Sequence, residues 1–201
     1  MKLNEADILL ITATNFTQYL ENLNLKTEHS TSKEEHWQYR WHKKIPTSRL
    51  IEAPILREND NITVNHAFLQ WVSDIKNAIT SATKPVLFIC HSYGVCATLT
   101  AITDLIPNIK QQIKGAFFVA PALFESEDNI HAIQSSKLSF PSFLISSTND
   151  TMLNQIKAKE LATNLGSFFL DAGESGHIDA STGHGPWPEG LLILSQFLGK
   201  L

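Results

Sequence analysis

Short apolar runs alternate along the chain with longer segments in which apolar residues recur every three or four positions. The apolar runs are rich in Ile, Leu, Val and Phe and contain few polar residues, which is typical of strands that are buried on both faces. Turn-forming or polar residues bound each run. The pattern predicts six strands, namely Asp7–Thr12, Arg49–Glu52, Pro85–Cys90, Gly115–Val119, Ser142–Ser147 and Ser167–Asp171.

The segments between these strands carry signals of helices. Ser32 and Glu35 form a capping box, which predicts a helix over Lys33–Lys44 that ends before Pro46. The other predicted helices are Asn65–Ser81, Tyr93–Leu105, Leu153–Leu165 and Glu189–Leu198. Strands alternating with helices predict the α/β class, here one domain over residues 1–201 with an open, twisted, mostly parallel sheet of about six strands and helices on both faces.

Residues 13–31 fit this alternation least well. They are polar, rich in Asn and Thr, and show only weak helical spacing. We expect this segment to be either a lid or a surface excursion of the single domain.

Composition narrows the classes of protein. The 201 residues suffice for one domain with a substantial core, and 16 basic against 20 acidic residues give a net charge of −4. No basic cluster indicates nucleic-acid binding, and no apolar segment approaches the ~18 residues that span a bilayer. Because the N-terminus lacks the features of a signal peptide, we expect a cytoplasmic protein in which Cys90 and Cys96 are buried and reduced.

Three residues with catalytic chemistry follow predicted strands. Ser92 lies in Cys-His-Ser-Tyr-Gly after the third strand, Asp150 follows the fifth, and His177 lies in a glycine-flanked loop after the sixth. Nucleophile, orienting acid and general base occur in this chain order in α/β-hydrolases. A tight strand-to-helix turn would lift the Ser92 hydroxyl out of the sheet, where a histidine could take its proton.

Ser92 and Asp150 each have a simpler interpretation when taken alone. Ser92 could cap a helix after a buried strand, because Cys90 stands where the usual G-x-S-x-G motif has its first glycine. Asp150 could close an Asn-Asp turn before a helix.

The other histidines offer alternatives to His177. His91 adjoins Ser92, but neighbouring residues at such a turn point apart, which argues against His91 as the base. His184 is the main competitor. His177, Asp179 and His184 could be imagined as metal ligands, but no predicted helix sets their spacing, so we expect no metal.

Several motifs together resemble the retinoblastoma-binding-protein/YdeN-like family of small serine hydrolases. The run Gly176–Gly190 is similar to the family signature G-H-I-N-x-x-S-G-x-G-x-W-P-x-G, and His36-Trp37-Gln38 with Trp41 is similar to H-W-Q-x-x-W. Phe118–Pro121 and Ser147–Asp150 also match in order and spacing, so the resemblance covers roughly residues 35–201. It implies a compact α/β-hydrolase with little or no cap domain and no cofactor, in which Ser92 is the nucleophile, Asp150 the orienting acid and His177 the general base.

The oxyanion-binding segment departs from the family pattern. Family members follow the first strand with a glycine-containing turn that supplies an oxyanion N–H, whereas Thr12 here runs into Ala13 and Thr14. The backbone N–H of Tyr93 is one expected donor, and that of Ala13 or Thr14 the second.

The walls of the substrate pocket are the least defined part of the predicted site. Phe124 and Trp187, together with Tyr93, are candidate pocket walls, although ordinary core or rim packing explains each equally well.

The leading hypothesis is therefore a serine hydrolase of small esters, extending to thioesters or amides, that acts through an acyl-enzyme on Ser92. Its expected partner is a small-molecule acyl substrate, and no protein partner is indicated. Acyl transfer to an acceptor other than water would use the same residues. The alternative is a catalytically weak or inactive interaction protein on the same fold, which the altered oxyanion segment would explain.

Overall fold

Six strands form one sheet in which every neighbouring pair is parallel. The computed structural model describes residues 1–13, 33–55, 63–123 and 137–201. The strands are β1 (Asp7–Thr12), β2 (Ser48–Glu52), β3 (Val86–Ser92), β4 (Ile113–Pro121), β5 (Ser142–Ser146) and β6 (Phe168–Asp171), in the order β2-β1-β3-β4-β5-β6. The predicted class, a single-domain α/β fold with an open parallel sheet of about six strands, is confirmed.

Helices cover both faces of the sheet. They are α1 (Trp37–His42), α2 (Val64–Thr80), α3 (Tyr93–Thr103), α4 (Pro107–Lys110), α5 (Gln155–Leu165) and α6 (Pro188–Leu198). Because successive strand residues point to opposite faces, Leu9 and Ile11 pack in the core under α2, α3 and α5, while Ile8 and Leu10 pack under α1 and α6. None of the described helices is both long and apolar enough to cross a membrane.

The helix predicted over Lys33–Lys44 is shorter and begins later. A 3₁₀ turn over Lys33–Glu35 precedes α1, and His36 between them is extended (φ −66°, ψ 139°). The His36 side chain accepts a hydrogen bond from the backbone N–H of Gln38, so it caps α1 in the place predicted for Ser32. Ser32 itself lies outside the described residues.

The connections place the candidate residues at one edge of the sheet. The chain leaves β1 towards β2 on one side and leaves β3 towards β4 on the other, so the carboxyl ends of β1 and β3 flank a crevice of the kind that binds ligands in α/β folds. Ser92 ends β3 at this crevice. Thr14, Phe124 and the proposed lid after Ala13 lie outside the described residues.

Candidate active site

Ser92 lies in a strained turn between β3 and α3. Its backbone has φ 56° and ψ −132°, a conformation that residues other than glycine rarely adopt, and α3 begins at the next residue. The strand therefore turns into a helix within one residue. This is the sharp turn expected of a nucleophile elbow.

Cys90 lies within β3, two residues before Ser92, and is an ordinary residue of the strand. It pairs with Ile11 on β1 and Phe118 on β4, and its Sγ lies 3.2 Å from Oγ1 of Thr98 on α3. Burial raises the pKa of the Cys90 thiol to about 12, so the thiol is protonated and unreactive at neutral pH. A cysteine at this position is thus part of the packing between β3 and α3.

Gly94 allows α3 to approach β1 closely. A Cβ at this position would lie 2.6 Å from the carbonyl oxygen of Ile11, closer than any ordinary contact. The same oxygen accepts a hydrogen bond from Nε2 of Gln38 at 3.1 Å, and Gln38 also donates to the carbonyl of Ile89 at 3.0 Å. The ends of β1 and β3 beside Ser92 are therefore held together from α1, so a side chain at position 94 would have to displace α3.

Ser92, His177 and Asp150 form one chain of hydrogen bonds. Nε2 of His177 lies 2.9 Å from Oγ of Ser92, and Nδ1 lies 3.0 and 3.1 Å from the two carboxylate oxygens of Asp150. The Asp150 side chain is fully buried and that of His177 is 12% exposed. The three residues singled out from chain order lie together, with the imidazole between hydroxyl and carboxylate.

The loops that carry Asp150 and His177 are fixed to each other. The Met152 backbone N–H donates to Oδ1 of Asp150 at 2.9 Å, which orients the carboxylate. The side chain of Asn149 accepts from the backbone N–H of Gly176 at 2.7 Å, which joins the end of β5 to the histidine loop, the segment 172–187 between β6 and α6. These bonds join the loop that carries the acid to the loop that carries the imidazole.

Two buried side chains form hydrogen bonds with backbone carbonyls of the histidine loop. The sequence pattern did not indicate either contact. Nε2 of His91 lies 2.8 Å from the carbonyl oxygen of His177, and Nε1 of Trp37 donates to the carbonyl of Ile178 at 2.9 Å. As its place in the turn predicted, His91 points away from the Ser92 hydroxyl and bonds to the carbonyl of His177 instead. The H-W-Q element was the one sequence signal that marked Trp37.

Three buried or partly buried groups next to the candidate residues have shifted pKa values. Burial, and then the neighbouring His177, lower the pKa of His91 to about 4, and burial and then His91 hold the pKa of His36 well below its usual range. Burial alone would raise the pKa of Asp179, but the hydrogen bond from Ser181 and the nearby His91 outweigh it and lower that pKa. At neutral pH two neutral imidazoles and one carboxylate therefore lie beside the catalytic candidates.

Of the three candidate oxyanion donors, Tyr93 and Ala13 lie within the described residues. Tyr93 is the first residue of α3. Ala13 follows β1 and is buried, and the register that pairs Ile11 with Cys90 brings Ala13 level with Ser92. Their roles stay predictions.

Trp187 packs against other aromatic residues in the core. Its ring lies 5.0 Å from that of Trp37 and stacks on that of Trp41 at 5.8 Å. It also borders a cavity of about 530 Å³ behind the histidine loop, whose lining does not include Ser92, Asp150 or His177. Its role as a wall of the substrate pocket stays a prediction.

His184, the competing histidine, bonds within its own loop. Its Nδ1 lies 3.2 Å from Oγ1 of Thr182, and its backbone N–H donates to the carbonyl of Asp179. Within the part of the chain that the structure describes, no group of three or more His, Cys, Asp or Glu side chains could hold a metal ion.

Comparisons with known proteins bear on the family and the fold of the chain. The sequence profile of a family described as serine hydrolase matches residues 28–196. A structure from Pectobacterium atrosepticum, assigned as a YdeN-like hydrolase, is 28% identical with a TM-score of 0.73, covering 97% of this chain and 92% of its own. The ydeN gene product of B. subtilis is 15% identical with a TM-score of 0.64, covering 96% and 99%. A Thermogutta terrifontis esterase with bound butyrate is 11% identical with a TM-score of 0.63, covering 100% and 85%.

The last two likenesses show the α/β-hydrolase fold alone, and no curated protein matches the chain. The family match spans most of the sequence and includes the candidate serine, aspartate and histidine. The chain belongs to the serine hydrolase family.

Proposed function

We propose that this serine hydrolase cleaves small carboxylic esters, with Ser92 as nucleophile, His177 as general base and Asp150 as orienting acid. The observation that carries the proposal is the unbroken series of hydrogen bonds from Asp150 through His177 to Ser92. Hydrolysis by this arrangement needs no metal or organic cofactor.

Acylation begins when Nε2 of His177 takes the hydroxyl proton of Ser92 as Oγ attacks the ester carbonyl carbon. The buried carboxylate of Asp150 accepts the Nδ1–H, which keeps Nε2 available as the base and stabilises the imidazolium that forms. The tetrahedral intermediate collapses as His177 returns the proton to the leaving alkoxide. Water then attacks the acyl-enzyme by the same route, and the carboxylic acid leaves as Ser92 regains its proton.

The developing oxyanion would be bound by the backbone N–H groups of Tyr93 and of Ala13 or Thr14. The positions of Tyr93 at the start of α3 and of Ala13 level with Ser92 support this assignment. Donors aimed at the oxyanion act strongly in a site from which water is excluded. The absence of a glycine after β1 is the feature that favours the second candidate, a slow or inactive protein of the same fold.

Short acyl chains are the expected substrates, because little or no cap is expected over the serine. Acetate and butyrate esters should be turned over faster than long-chain esters. Faster turnover of the long-chain esters would remove this part of the proposal. The same comparison of substrates should include thioesters and activated amides, and added alcohols would reveal acyl transfer. The predicted location of the protein is the cytoplasm.

Labelling with a fluorophosphonate probe tests the proposal. We expect stoichiometric labelling of the parent protein at Ser92, none in Ser92→Ala, and little in His177→Ala. Ser147→Ala is the matched control, because this buried serine also follows a sheet strand and its hydroxyl has no hydrogen-bond partner among the described residues. A folded parent that neither reacts with the probe nor hydrolyses p-nitrophenyl acetate would refute the proposal and favour the interaction protein.

A further inference from the structure

Buried side chains hold two consecutive carbonyl groups of the histidine loop. Nε2 of His91 lies 2.8 Å from the carbonyl oxygen of His177, and because a carbonyl can only accept, His91 carries its proton on Nε2. Nε1 of Trp37 donates to the next carbonyl, that of Ile178, at 2.9 Å. The two donors come from the elbow and from α1, so the loop is tied to two separate parts of the fold.

The backbone between these carbonyls is strained. Ile178 has φ 51°, and a β-branched residue in the left-handed region is a true outlier. Such a conformation persists only where the surrounding structure requires it. Here the Ile178 side chain is fully buried, and the carbonyls before and after its Cα are the two that are held.

Neither donor can readily turn away. The His91 ring lies 4.7 Å from the ring of His36 and 4.9 Å from that of His177. The Trp37 ring lies 4.6 Å from that of Trp41 and also packs against Trp187. Both side chains are thus held in close packing, and each presents one N–H to the loop.

We infer that His91 and Trp37 are positioning residues, which clamp the backbone on both sides of Ile178 and thereby keep the imidazole of His177 in line with Ser92. The effect of this clamp on turnover rests on the proposed function, whereas its effect on the loop does not. Burial keeps the pKa of His91 near 4, so His91 donates without a charge. A cationic donor at this position would oppose the imidazolium that forms on His177 during the reaction.

Three substitutions separate the donors from the packing. His91→Leu removes the N–H, while His91→Gln can place an amide N–H near the position of Nε2. Trp37→Phe keeps an aromatic ring and removes the other N–H. His42→Leu is the matched control, because His42 also bonds through its ring, to Ser48 at the amino end of β2, which is the opposite edge of the sheet from Ser92.

Turnover of p-nitrophenyl acetate and hydrogen–deuterium exchange over residues 172–184 are measured for each protein. We expect His91→Leu and Trp37→Phe to lower kcat by about 10- to 100-fold with little change in KM, because a small misplacement of the base slows the chemical step. Exchange in the loop should quicken in the same variants. His91→Gln should recover most of kcat, and His42→Leu should leave both kcat and loop exchange at the parent values.

Parent-like kcat in folded His91→Leu and Trp37→Phe would overturn the inference, as would a His91→Gln variant no better than His91→Leu. If His91→Leu does not fold, Trp37→Phe decides the result. If the folded parent neither reacts with the fluorophosphonate probe nor hydrolyses p-nitrophenyl acetate, the proposed function fails and loop exchange decides the clamp by itself. Unchanged exchange in the variants then overturns it, and faster exchange with recovery in His91→Gln supports it.

Discussion

The substitution Gly94→Ala tests whether the closeness of α3 to β1 sets the geometry of the elbow. The added Cβ would lie 2.6 Å from the carbonyl oxygen of Ile11, 3.1 Å from its carbonyl carbon and 3.2 Å from its Cγ2. Real Cβ atoms essentially never come within 3.0 Å of such neighbours, so α3 and β1 must separate by about 0.4 Å. The oxygen belongs to a strand buried in the sheet and is also bonded by Gln38, so most of the displacement should fall on the first turn of α3.

The cost of this displacement is that of inserting a methyl group into a packed interior, about 1–3 kcal/mol. Alanine favours a helix over glycine by roughly 0.5–1 kcal/mol, which offsets part of it. We therefore expect Gly94→Ala to lower the free energy of unfolding by about 0–2.5 kcal/mol. Because Ser92 and Tyr93 lie in the displaced turn, labelling by the fluorophosphonate probe should slow by up to about 100-fold.

Urea unfolding measures the stability, and Gly199→Ala provides the control. Gly199 ends α6 with an ordinary φ of −68°, and a Cβ there would meet nothing closer than 3.5 Å. Gly199→Ala should therefore leave labelling unchanged and raise stability by about 0.4–1 kcal/mol through the unfolded state. The reasoning is refuted if Gly94→Ala is as stable as Gly199→Ala and labels at the parent rate.

Three further predictions concern the elbow and the groups beneath it. The free energy of unfolding measured in urea should be about 1 kcal/mol higher for Ser92→Gly than for Ser92→Ala, because glycine adopts φ 56° without strain; equal values would contradict the strain. The free energy of unfolding should fall as pH drops from about 6.5 to 4, by at most about 1.4 kcal/mol per pH unit for His91, since the unfolded chain takes up a proton that the folded His91 does not. Urea titrations at several pH values should show that the free energy of unfolding depends less steeply on pH in His91→Gln than in the parent. An unchanged pH dependence would contradict the lowered pKa of His91. The Cys90 thiol, with its pKa raised to about 12, should resist a thiol reagent in the native protein at mildly alkaline pH and react in urea; reaction of the native protein at the rate of a free thiol would contradict its burial.

The strands were predictable because a parallel sheet buried on both faces leaves a nearly continuous apolar run in the sequence. All six predicted strands are present, although β3 and β4 extend beyond their apolar cores to Ser92 and Pro121. The start of α1 was not predictable from a capping-box pattern, because the side chain of His36 accepts the hydrogen bond from the first turn instead. The four residues of α4 are too few to show a helical period.

The catalytic candidates were predictable because parallel strands bring their carboxyl ends to one edge. Ser92, Asp150 and His177 each lie at or after the end of a strand, so chain order predicted that their side chains would lie together. The donors beneath the loop left no comparable pattern, because His91 and Trp37 lie 86 and 141 residues from the carbonyls that they contact. Their pairing depends on how α1 and the elbow pack, which one-dimensional spacing does not encode.

The structure also explains why the two glycine positions of the elbow motif are not equivalent in this chain. Position 90 lies within β3, has no left-handed backbone, and holds a cysteine whose Sγ contacts Thr98 without disturbing the strand pairing. Position 94 faces the Ile11 carbonyl at a distance that a side chain could occupy only if α3 moved away from β1. The geometry of Ser92 therefore favours a glycine two residues after the serine, whereas the strand accommodates a cysteine two residues before it. The departure from G-x-S-x-G at Cys90 is thus no argument against a nucleophile, whereas a side chain at position 94 would be.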